Sequence, residues 1–243
     1  MTSKGFYSQT FGPGNNQRIM ALVTGFNGQL ADLEKAAHGL VAAGYDVVTY
    51  AYDNDVFLSG DGQVLLGRID AMSRDFEARA QNHAMRQYAG ISLGSGIAWN
   101  MQKLSCASTV LPGIYAAGGA DAAKLVMHNR LFRASVRHAH KVDFKKQFLK
   151  NDYDEAALQQ LWSDSSRPPD NGFVLVLGGR DIVVRPQAIK QQMQVWRSQG
   201  LKFTTIHQAK LGHRAVAIWF LNNMPMMLAA ADDLKAQLDS QVF

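Results

Sequence analysis

Short apolar runs alternate along the chain with longer segments in which apolar residues recur every three or four positions. The short runs predict buried strands at 18–24, 45–52, 88–91, 109–117, 172–177 and 203–208. The longer segments predict helices at 31–43, 65–86, 96–104, 189–199 and 215–238. Strands that alternate with helices form parallel βαβ units, so the pattern predicts an open α/β sheet with helices on both faces.

The stretch 128–170 breaks this alternation. It begins with a charge-rich part of helical character and ends near the polar run S-D-S-S-R-P-P-D. Since it falls between two predicted strands, we interpret it as a helical insertion into one α/β domain. The chain then divides into a first core part at 1–127, an inserted cap at 128–170 and a second core part at 171–243.

The positive charge of the chain is concentrated in this insertion. The 243 residues carry a formal net charge of +5. Between 128 and 150 there are seven basic residues and one acidic residue, whereas the rest of the chain has 18 basic and 19 acidic residues. A nucleic-acid-binding protein spreads its basic residues over a binding face. We therefore expect no nucleic-acid partner.

The composition, with 47% apolar and 19% charged residues, is that of a soluble globular protein with a sizeable core. No apolar run is long enough to cross a membrane, and the first ten residues lack the apolar segment of a secretory signal. We therefore expect a cytoplasmic protein without stable membrane insertion. The single cysteine, Cys106, excludes an intrachain disulfide, and we expect it to be a small residue of the core.

The sequence contains no motif for a metal ion or a cofactor. His, Cys and carboxylate residues show no metal-ligand spacing, and Gly178–Gly179 is too short for a dinucleotide-binding fingerprint. A phosphate-binding Gly-x-x-x-x-Gly-Lys stretch is also absent. We expect chemistry that side chains carry without a cofactor.

Residues 90–94, G-I-S-L-G, match the pattern G-x-S-x-G with Ser92 at its centre. A serine at a tight turn between a strand and a helix has a strained backbone, so glycines two positions on either side avoid clashes. The turn lifts the hydroxyl above the sheet, and the N–H groups at the helix start face developing negative charge. The second serine, Ser95, does not fit the pattern and is expected to begin the helix. A structural turn explains the motif equally well when it is taken alone.

A serine hydroxyl needs a base to become a nucleophile, and the base needs an acid to orient it. Asp181 follows the strand at 172–177 in G-G-R-D, and His213 follows the strand at 203–208 in L-G-H. Both lie in loops after the carboxyl ends of strands, where open α/β sheets bind their ligands. Ser92, Asp181 and His213 therefore fall at one edge of the predicted sheet, which favours catalysis over unrelated loop positions.

From about residue 18 to the C-terminus the chain resembles the α/β-hydrolase fold superfamily. The resemblance rests on the nucleophile elbow at 90–94, the acid loop G-G-R-D and the histidine loop L-G-H. It implies an α/β-hydrolase fold with a mostly parallel sheet, helices on both faces and a small helical cap. It also implies that Ser92 is the nucleophile, that His213 is the general base and acid, and that Asp181 orients the imidazole.

The same resemblance implies an oxyanion hole made by backbone N–H groups of Leu93 and Phe26, the latter in the loop T-G-F-N-G. Two departures from the family pattern stand out. Many relatives have His-Gly in that loop, where this chain has Thr24–Gly25. The segment before Arg18 is also short for the usual leading hairpin, which allows for a sheet that lacks one strand.

The resemblance implies a serine hydrolase, most simply a carboxylesterase, that acts on a small-molecule ester or acyl substrate through an acyl-enzyme. An acyl thioesterase or acyltransferase on an anionic, carrier-linked substrate is an alternative, because basic residues recur every four positions in the cap and would form a stripe on a helix. They are Arg133, Arg137, Lys141 and Lys145. A solvated helix face explains the same spacing.

Other hypotheses for the function and for the site residues fit the same sequence. A carbon–carbon bond hydrolase would use the same triad, and a non-catalytic ligand-binding protein on this fold is the hypothesis from another class. Asp121 is the alternative acid, since some relatives place the acid after an earlier strand. His207 falls within the last predicted strand and is a weaker candidate for the base. The remaining histidines are expected to be solvated or packed: His38, His83, His128, His138 and His140.

Overall fold

The computed structural model describes residues 5–53, 62–118, 134, 137, 138 and 171–240. Within these residues one sheet of seven strands carries helices on both faces. The strands are β1 Phe6–Phe11, β2 Arg18–Val23, β3 Tyr45–Tyr52, β4 Met85–Ile91, β5 Gly113–Ala116, β6 Phe173–Gly178 and β7 Phe203–Gln208. The helices are α1 Ala31–Ala42, α2 Gly62–Arg79, α3 Leu93–Leu104, α4 Pro186–Ser198, α5 His213–Asn222 and α6 Met224–Asp239.

The strands lie in the order β1-β3-β2-β4-β5-β6-β7. Strand β1 is antiparallel to β3, and every other pair is parallel. In the centre of the sheet, Val23 is the partner of Gly90, and Gly90 is the partner of Tyr115. The parallel register brings the carboxyl ends of β2, β4, β5, β6 and β7 to one edge. The mostly parallel sheet predicted from the sequence is confirmed.

Each face of the sheet forms its own hydrophobic core. Residues of α2, α3 and α4 pack on one face, and residues of α1, α5 and α6 pack on the other. Because both faces are covered, all eight residues of β3 and five of the six residues of β2 are buried. This explains why the strands appear in the sequence as continuous apolar runs rather than as alternating patterns.

The three largest differences between the predicted element boundaries and the structure arise from proline or tertiary contacts. The helix predicted to reach residue 86 ends at Arg79, and the chain turns before β4 so that His83 is buried. Strand β5 begins only after Pro112, which lacks the N–H that a ladder requires. The long final helix is two helices, since Pro225 in the first turn of α6 cannot continue α5.

The leading segment contains one strand in the described residues, β1, which pairs along its whole length with β3. Cys106 corrects another expectation, because it is exposed rather than part of the core. It follows the end of α3 in a loop, and its thiol has only a weak contact of 3.8 Å with the carbonyl of Leu104.

The predicted cap at 128–170 and the alternative acid Asp121 lie outside the described residues, apart from Ala134, Arg137 and His138. The division at 127/128 and 170/171 therefore stays a prediction. Among the helices that the structure describes, none combines the length and the apolar character needed to cross a membrane.

A buried carboxylate links the loop before β2 and the turn before β4 at the amino-terminal edge of the sheet. Asp46 in β3 is 1% exposed, and its oxygens accept hydrogen bonds from the backbone N–H groups of Gly14 and Asn16 and from the Asn16 side chain, all at 3.1 Å. Its Oδ2 also lies 2.8 Å from His83 Nε2. Burial opposes ionisation, yet the hydrogen bonds from His83, Gly14 and Asn16 outweigh it and hold the pKa of Asp46 below its ordinary value.

Replacement of this carboxylate should lower the free energy of unfolding. In Asp46→Asn the amide nitrogen meets N–H donors, and we expect a loss of about 1–3 kcal/mol at pH 7. Because the folded pKa of Asp46 is lowered, its contribution is present above the ordinary carboxyl pKa and disappears as the pH falls through the folded value. Urea unfolding at pH 7 and near pH 3 should therefore show the difference between the two proteins shrinking in acid.

Asp70→Asn is the control for this prediction. Asp70 is a half-exposed residue paired with Arg74 on the surface of α2, so its replacement should change stability by less than about 0.5 kcal/mol. Equal effects of the two substitutions at pH 7 would contradict the role assigned to Asp46.

Candidate active site

Ser92 lies at the sharp turn between β4 and α3. Its backbone is left-handed, with φ 54° and ψ −123°, a conformation that costs a non-glycine residue on the order of 1–3 kcal/mol. Its N–H donates a 2.8 Å hydrogen bond to the carbonyl of Ala116 at the end of β5, and its own carbonyl accepts from Ser95 N–H at 3.0 Å. The neighbouring strand and the first turn of α3 therefore hold the strained residue in place.

The two glycines of the motif are required by the close approach of backbone segments. A Cβ at Gly90 would lie 2.3 Å from the carbonyl oxygen of Gly94, and a Cβ at Gly94 would lie 1.9 Å from that of Thr24. Both distances are far below van der Waals contact. The clearance expected from the sequence is thus present, and Gly94 also lets α3 approach the loop after β2.

Three of the residues singled out in the sequence form one hydrogen-bonded chain. The Ser92 Oγ lies 2.8 Å from His213 Nε2, and His213 Nδ1 lies 2.9 Å from Asp181 Oδ2. The Asp181 side chain is 2% exposed and the His213 side chain 22% exposed. The other carboxylate oxygen of Asp181 accepts hydrogen bonds from the N–H groups of Val183 and Val184, both at 2.8 Å. The buried carboxylate is therefore fully partnered, while the histidine reaches the surface.

The acid loop and the histidine loop are joined backbone to backbone. Gly179 N–H donates to the carbonyl of Gln208 at 2.9 Å, and Arg180 N–H donates to that of Leu211 at 3.0 Å. A Cβ at Gly179 would lie 2.4 Å from the carbonyl oxygen of Ala209. The glycines of G-G-R-D thus allow the two loops to touch, which fixes the separation between the carboxylate and the imidazole.

The two predicted oxyanion donors belong to segments that flank Ser92. Leu93 is the first residue of α3, so its N–H has no acceptor within the helix. The loop that carries Phe26 turns tightly, with Gly28 N–H bonded to the carbonyl of Gly25 at 3.0 Å. A Cβ at Gly25 would lie only 3.3 Å from the Cβ of Ser92. Thr24, where many relatives have histidine, is 2% exposed, and its hydroxyl has no partner among the described residues.

The other candidates lie apart from this chain of hydrogen bonds or outside the described residues. His207 lies within β7, as predicted, and is exposed on this edge strand. His83 is bonded to Asp46 at the amino-terminal edge of the sheet, and His38 lies on α1 near Glu34. In the part of the chain that the structure describes, no group of three His, Cys, Asp or Glu residues could hold a metal ion.

Two sets of contacts at the site have no counterpart in the sequence analysis. The N–H groups of Val183 and Val184 that hold Asp181 are backbone donors, which leave no signal in residue types. Ser95 was expected only to begin the helix, whereas its side chain is buried and bonded to two carbonyls. The signal available for Ser95 was a polar residue inside the first turn of an otherwise apolar helix.

Comparison with known proteins identifies the fold. No family model matches the chain, and no curated protein is significantly similar to it in sequence. Among solved structures, an inhibited esterase B from Lactobacillus rhamnosis superposes with a TM-score of 0.63 at 17% identity, over 98% of this chain and 90% of that chain. The thioesterase domain from the curacin biosynthetic pathway gives 0.58 at 12% identity, over 92% and 95%.

The acylaminoacyl peptidase from Pyrococcus horikoshii has a TM-score of 0.64 at 12% identity, over 90% of this chain but only 38% of the peptidase. These proteins are named for three different bonds, and what they share with this chain is the arrangement of strands and helices. The protein has the α/β-hydrolase fold. At such low identities the likeness concerns the fold alone.

Gly94→Ala tests whether close backbone approach forms the turn. The added Cβ would overlap the carbonyl of Thr24, so we expect a loss of at least about 2 kcal/mol in the free energy of unfolding, as for other overpacked interiors. Gly67→Ala is the matched control, because a Cβ at this exposed position of α2 meets nothing within 4 Å. It should stabilise the protein by about 0.5–1 kcal/mol. Urea unfolding measures both, and a neutral Gly94→Ala would refute the close approach.

Proposed function

We propose that the protein is a serine hydrolase that cleaves an ester-type bond, most simply a carboxylic ester. Ser92 is the nucleophile, His213 the general base and acid, and Asp181 the residue that orients the imidazole. The observation that carries this proposal is the unbroken chain of hydrogen bonds from Ser92 Oγ to Asp181, with distances of 2.8 and 2.9 Å. A buried carboxylate, an imidazole and a hydroxyl in this order have the geometry of nucleophilic catalysis.

The reaction begins when Ser92 Oγ attacks the substrate carbonyl and its proton passes to His213 Nε2. The Asp181 carboxylate accepts a hydrogen bond from the N–H at His213 Nδ1 and stabilises the imidazolium that forms. Negative charge on the former carbonyl oxygen is stabilised by the N–H groups of Leu93 and Phe26. His213 then gives its proton to the leaving oxygen, and an acyl-enzyme forms on Ser92. A water molecule, deprotonated by His213, then attacks the acyl-enzyme carbonyl, and the acid product leaves as His213 returns the proton to Ser92 Oγ.

The structural comparisons support the class of reaction rather than the substrate. An esterase, a thioesterase domain and a peptidase superpose on this chain, and the esterase was solved in inhibited form. Acyl transfer through a serine is compatible with all three bonds. A small-molecule carboxylic ester is the substrate we choose because ester hydrolysis is the commonest activity in the superfamily.

Substitutions in the triad test the proposal. Ser92→Ala should abolish covalent labelling by a fluorophosphonate probe and hydrolysis of p-nitrophenyl acetate. Asp181→Asn should lower kcat by about 10⁴-fold, because the amide favours the wrong imidazole tautomer, as the same change does in a serine protease. Ser105→Ala, which removes a serine hydroxyl from the far end of α3, should leave both readouts close to those of the wild type.

A folded wild-type protein that the probe does not label would favour the other class of hypothesis, a non-catalytic ligand-binding protein. Undiminished labelling of Ser92→Ala would show that the probe reacts elsewhere. Either result would end the assignment of Ser92 as nucleophile.

A thioesterase or acyltransferase on an anionic carrier is the second candidate. It is favoured by the charge of the segment 128–150, with seven basic residues against one acidic residue. Phosphate groups on a carrier-linked acyl substrate would be attracted by such a segment if it lies near the site. The remaining chain is close to neutral, so this attraction has one source.

Charge reversal separates the two candidates. Changing Arg133, Arg137 and Lys141 to glutamate should raise KM for an acyl-CoA at low salt and leave KM for p-nitrophenyl acetate unchanged. Changing Arg74, Lys190 and Lys202 to glutamate alters the net charge equally and serves as the control. An equal rise in KM for both substrates, or an equal effect of the control, would contradict a role for the basic segment.

A further inference from the structure

The second serine of Y-A-G-I-S-L-G-S-G has a buried hydroxyl that the reaction does not use. Ser95 is 4% exposed, so its side chain is closed off from solvent. Its Oγ lies 2.8 Å from the carbonyl oxygen of Gly90 and 3.0 Å from that of Ala116. A hydroxyl has one proton to donate, and both carbonyl oxygens lie close enough to share it. The bond to Gly90 reaches back five residues, across the strained Ser92.

The contacts of Ser95 converge on groups that fix the backbone of Ser92. The carbonyl of Ala116, which the Ser95 hydroxyl approaches, also accepts the N–H of Ser92 at 2.8 Å. The N–H of Ser95 donates to the carbonyl of Ser92 itself at 3.0 Å. Ser95 therefore contacts the chain before the turn, the turn itself and the neighbouring strand β5. Its hydroxyl thus connects the carboxyl ends of β4 and β5.

The chain around Ser95 contains two strained residues. Ser92 has φ 54° and Ala117 has φ 48°, both in the left-handed region that non-glycine residues avoid. Such conformations persist only where the surrounding contacts over-determine them. Ala117 directly follows the carbonyl that receives the Ser95 hydroxyl, and Ala117 N–H is bonded to Val176 at 3.0 Å. The hydroxyl of Ser95 is thus placed to oppose relaxation on both sides.

The side chain of Ser95 is also enclosed by the chain after β5. A Cβ at Gly118 would lie 2.4 Å from the Ser95 Cβ and 2.7 Å from its Oγ. Glycine at 118 is therefore needed for the hydroxyl to keep its position between its two acceptors.

We propose that Ser95 is a positioning residue, whose hydroxyl holds the ends of β4 and β5 together and thereby keeps Ser92 Oγ in hydrogen-bond reach of His213. The kinetic part of this inference rests on the proposed function, and the structural part does not. A hydroxyl that merely satisfied buried carbonyls would contribute to stability and leave the reactivity of Ser92 unchanged.

Ser95→Ala and Ser105→Ala form a matched pair, because each removes one serine hydroxyl at or next to an end of α3. Ser105 donates to Glu77 Oε1 at 2.9 Å, beyond the far end of the helix. In Ser95→Ala we expect kcat for p-nitrophenyl acetate and the rate of fluorophosphonate labelling to fall about tenfold, since small misplacements of a reacting group have large effects on rate. KM should stay within about twofold. Ser105→Ala should lower Tm comparably without changing the rates.

Gly118→Ala tests the same contact from the other side. The added methyl group would overlap both the Cβ and the Oγ of Ser95 and so pushes this side chain away from its two acceptors, and the rates should fall at least as far as in Ser95→Ala. In the double variant the combined loss should be smaller than the two single losses added together, because both substitutions break the same contacts of the Ser95 hydroxyl. Additive losses, or a loss in Ser105→Ala equal to that in Ser95→Ala, would overturn the positioning role.

Amide hydrogen exchange gives a readout that needs no activity. The N–H of Ser92 is bonded to Ala116, and its exchange should be about tenfold faster in Ser95→Ala and unchanged in Ser105→Ala, as expected for local opening. If the wild type is folded but does not react with the probe, the proposed function fails, while exchange still tests whether the Ser95 hydroxyl holds the ends of β4 and β5 together. If the wild type reacts and exchange at Ser92 is equal in both variants, the inference about Ser95 fails alone.

Discussion

The left-handed backbone at Ser92 is the constraint on which the rest of the site depends. A serine held at φ 54° points its side chain out of the turn. The turn can be this tight because the neighbouring glycines have no side chains to keep the backbone segments apart. Gly90 and Gly94 let β4, α3 and the loop after β2 approach within distances that a Cβ would forbid. The conformational cost of the turn is offset by hydrogen bonds to Ala116 and by the burial of α3 against the sheet.

The parallel sheet brings the strained turn together with two other loops at one edge. Strands β4, β6 and β7 end at the same edge, and the loops that follow them carry Ser92, Asp181 and His213. Between β4 and β6 lies β5, whose last carbonyl holds the turn. The acid and histidine loops are bonded to each other through their backbones, so the separation between Asp181 and His213 is set by the register of β6 and β7 rather than by flexible side chains.

What the sequence could predict follows from what each feature needs. Strands β3 and β6 are buried on both faces, so their apolar runs are clear. Ser92, Asp181 and His213 could be singled out because nucleophilic catalysis would require those residue types after strands, and the structure brings their side chains together. The predicted helix ends were wrong where tertiary contacts or Pro225 determine the end of the helix. The prediction that Cys106 is a core residue was wrong because the chain has left the core beyond α3. The donors from Val183 and Val184 are backbone N–H groups, so the residue types at these positions do not predict them.

The described part of the chain contains two Asp–His pairs with a buried carboxylate, and they differ in which groups reach the imidazole. Asp46 and His83 are 2.8 Å apart, and Asp181 and His213 are 2.9 Å apart. The first pair is buried at the amino-terminal edge, and His83 Nδ1 has no partner among the described residues. The second histidine is 22% exposed and meets the Ser92 hydroxyl with its other nitrogen. Since a proton can be relayed only where a third group and a substrate reach the imidazole, the same two residue types stabilise the fold at one edge and fit catalysis at the other.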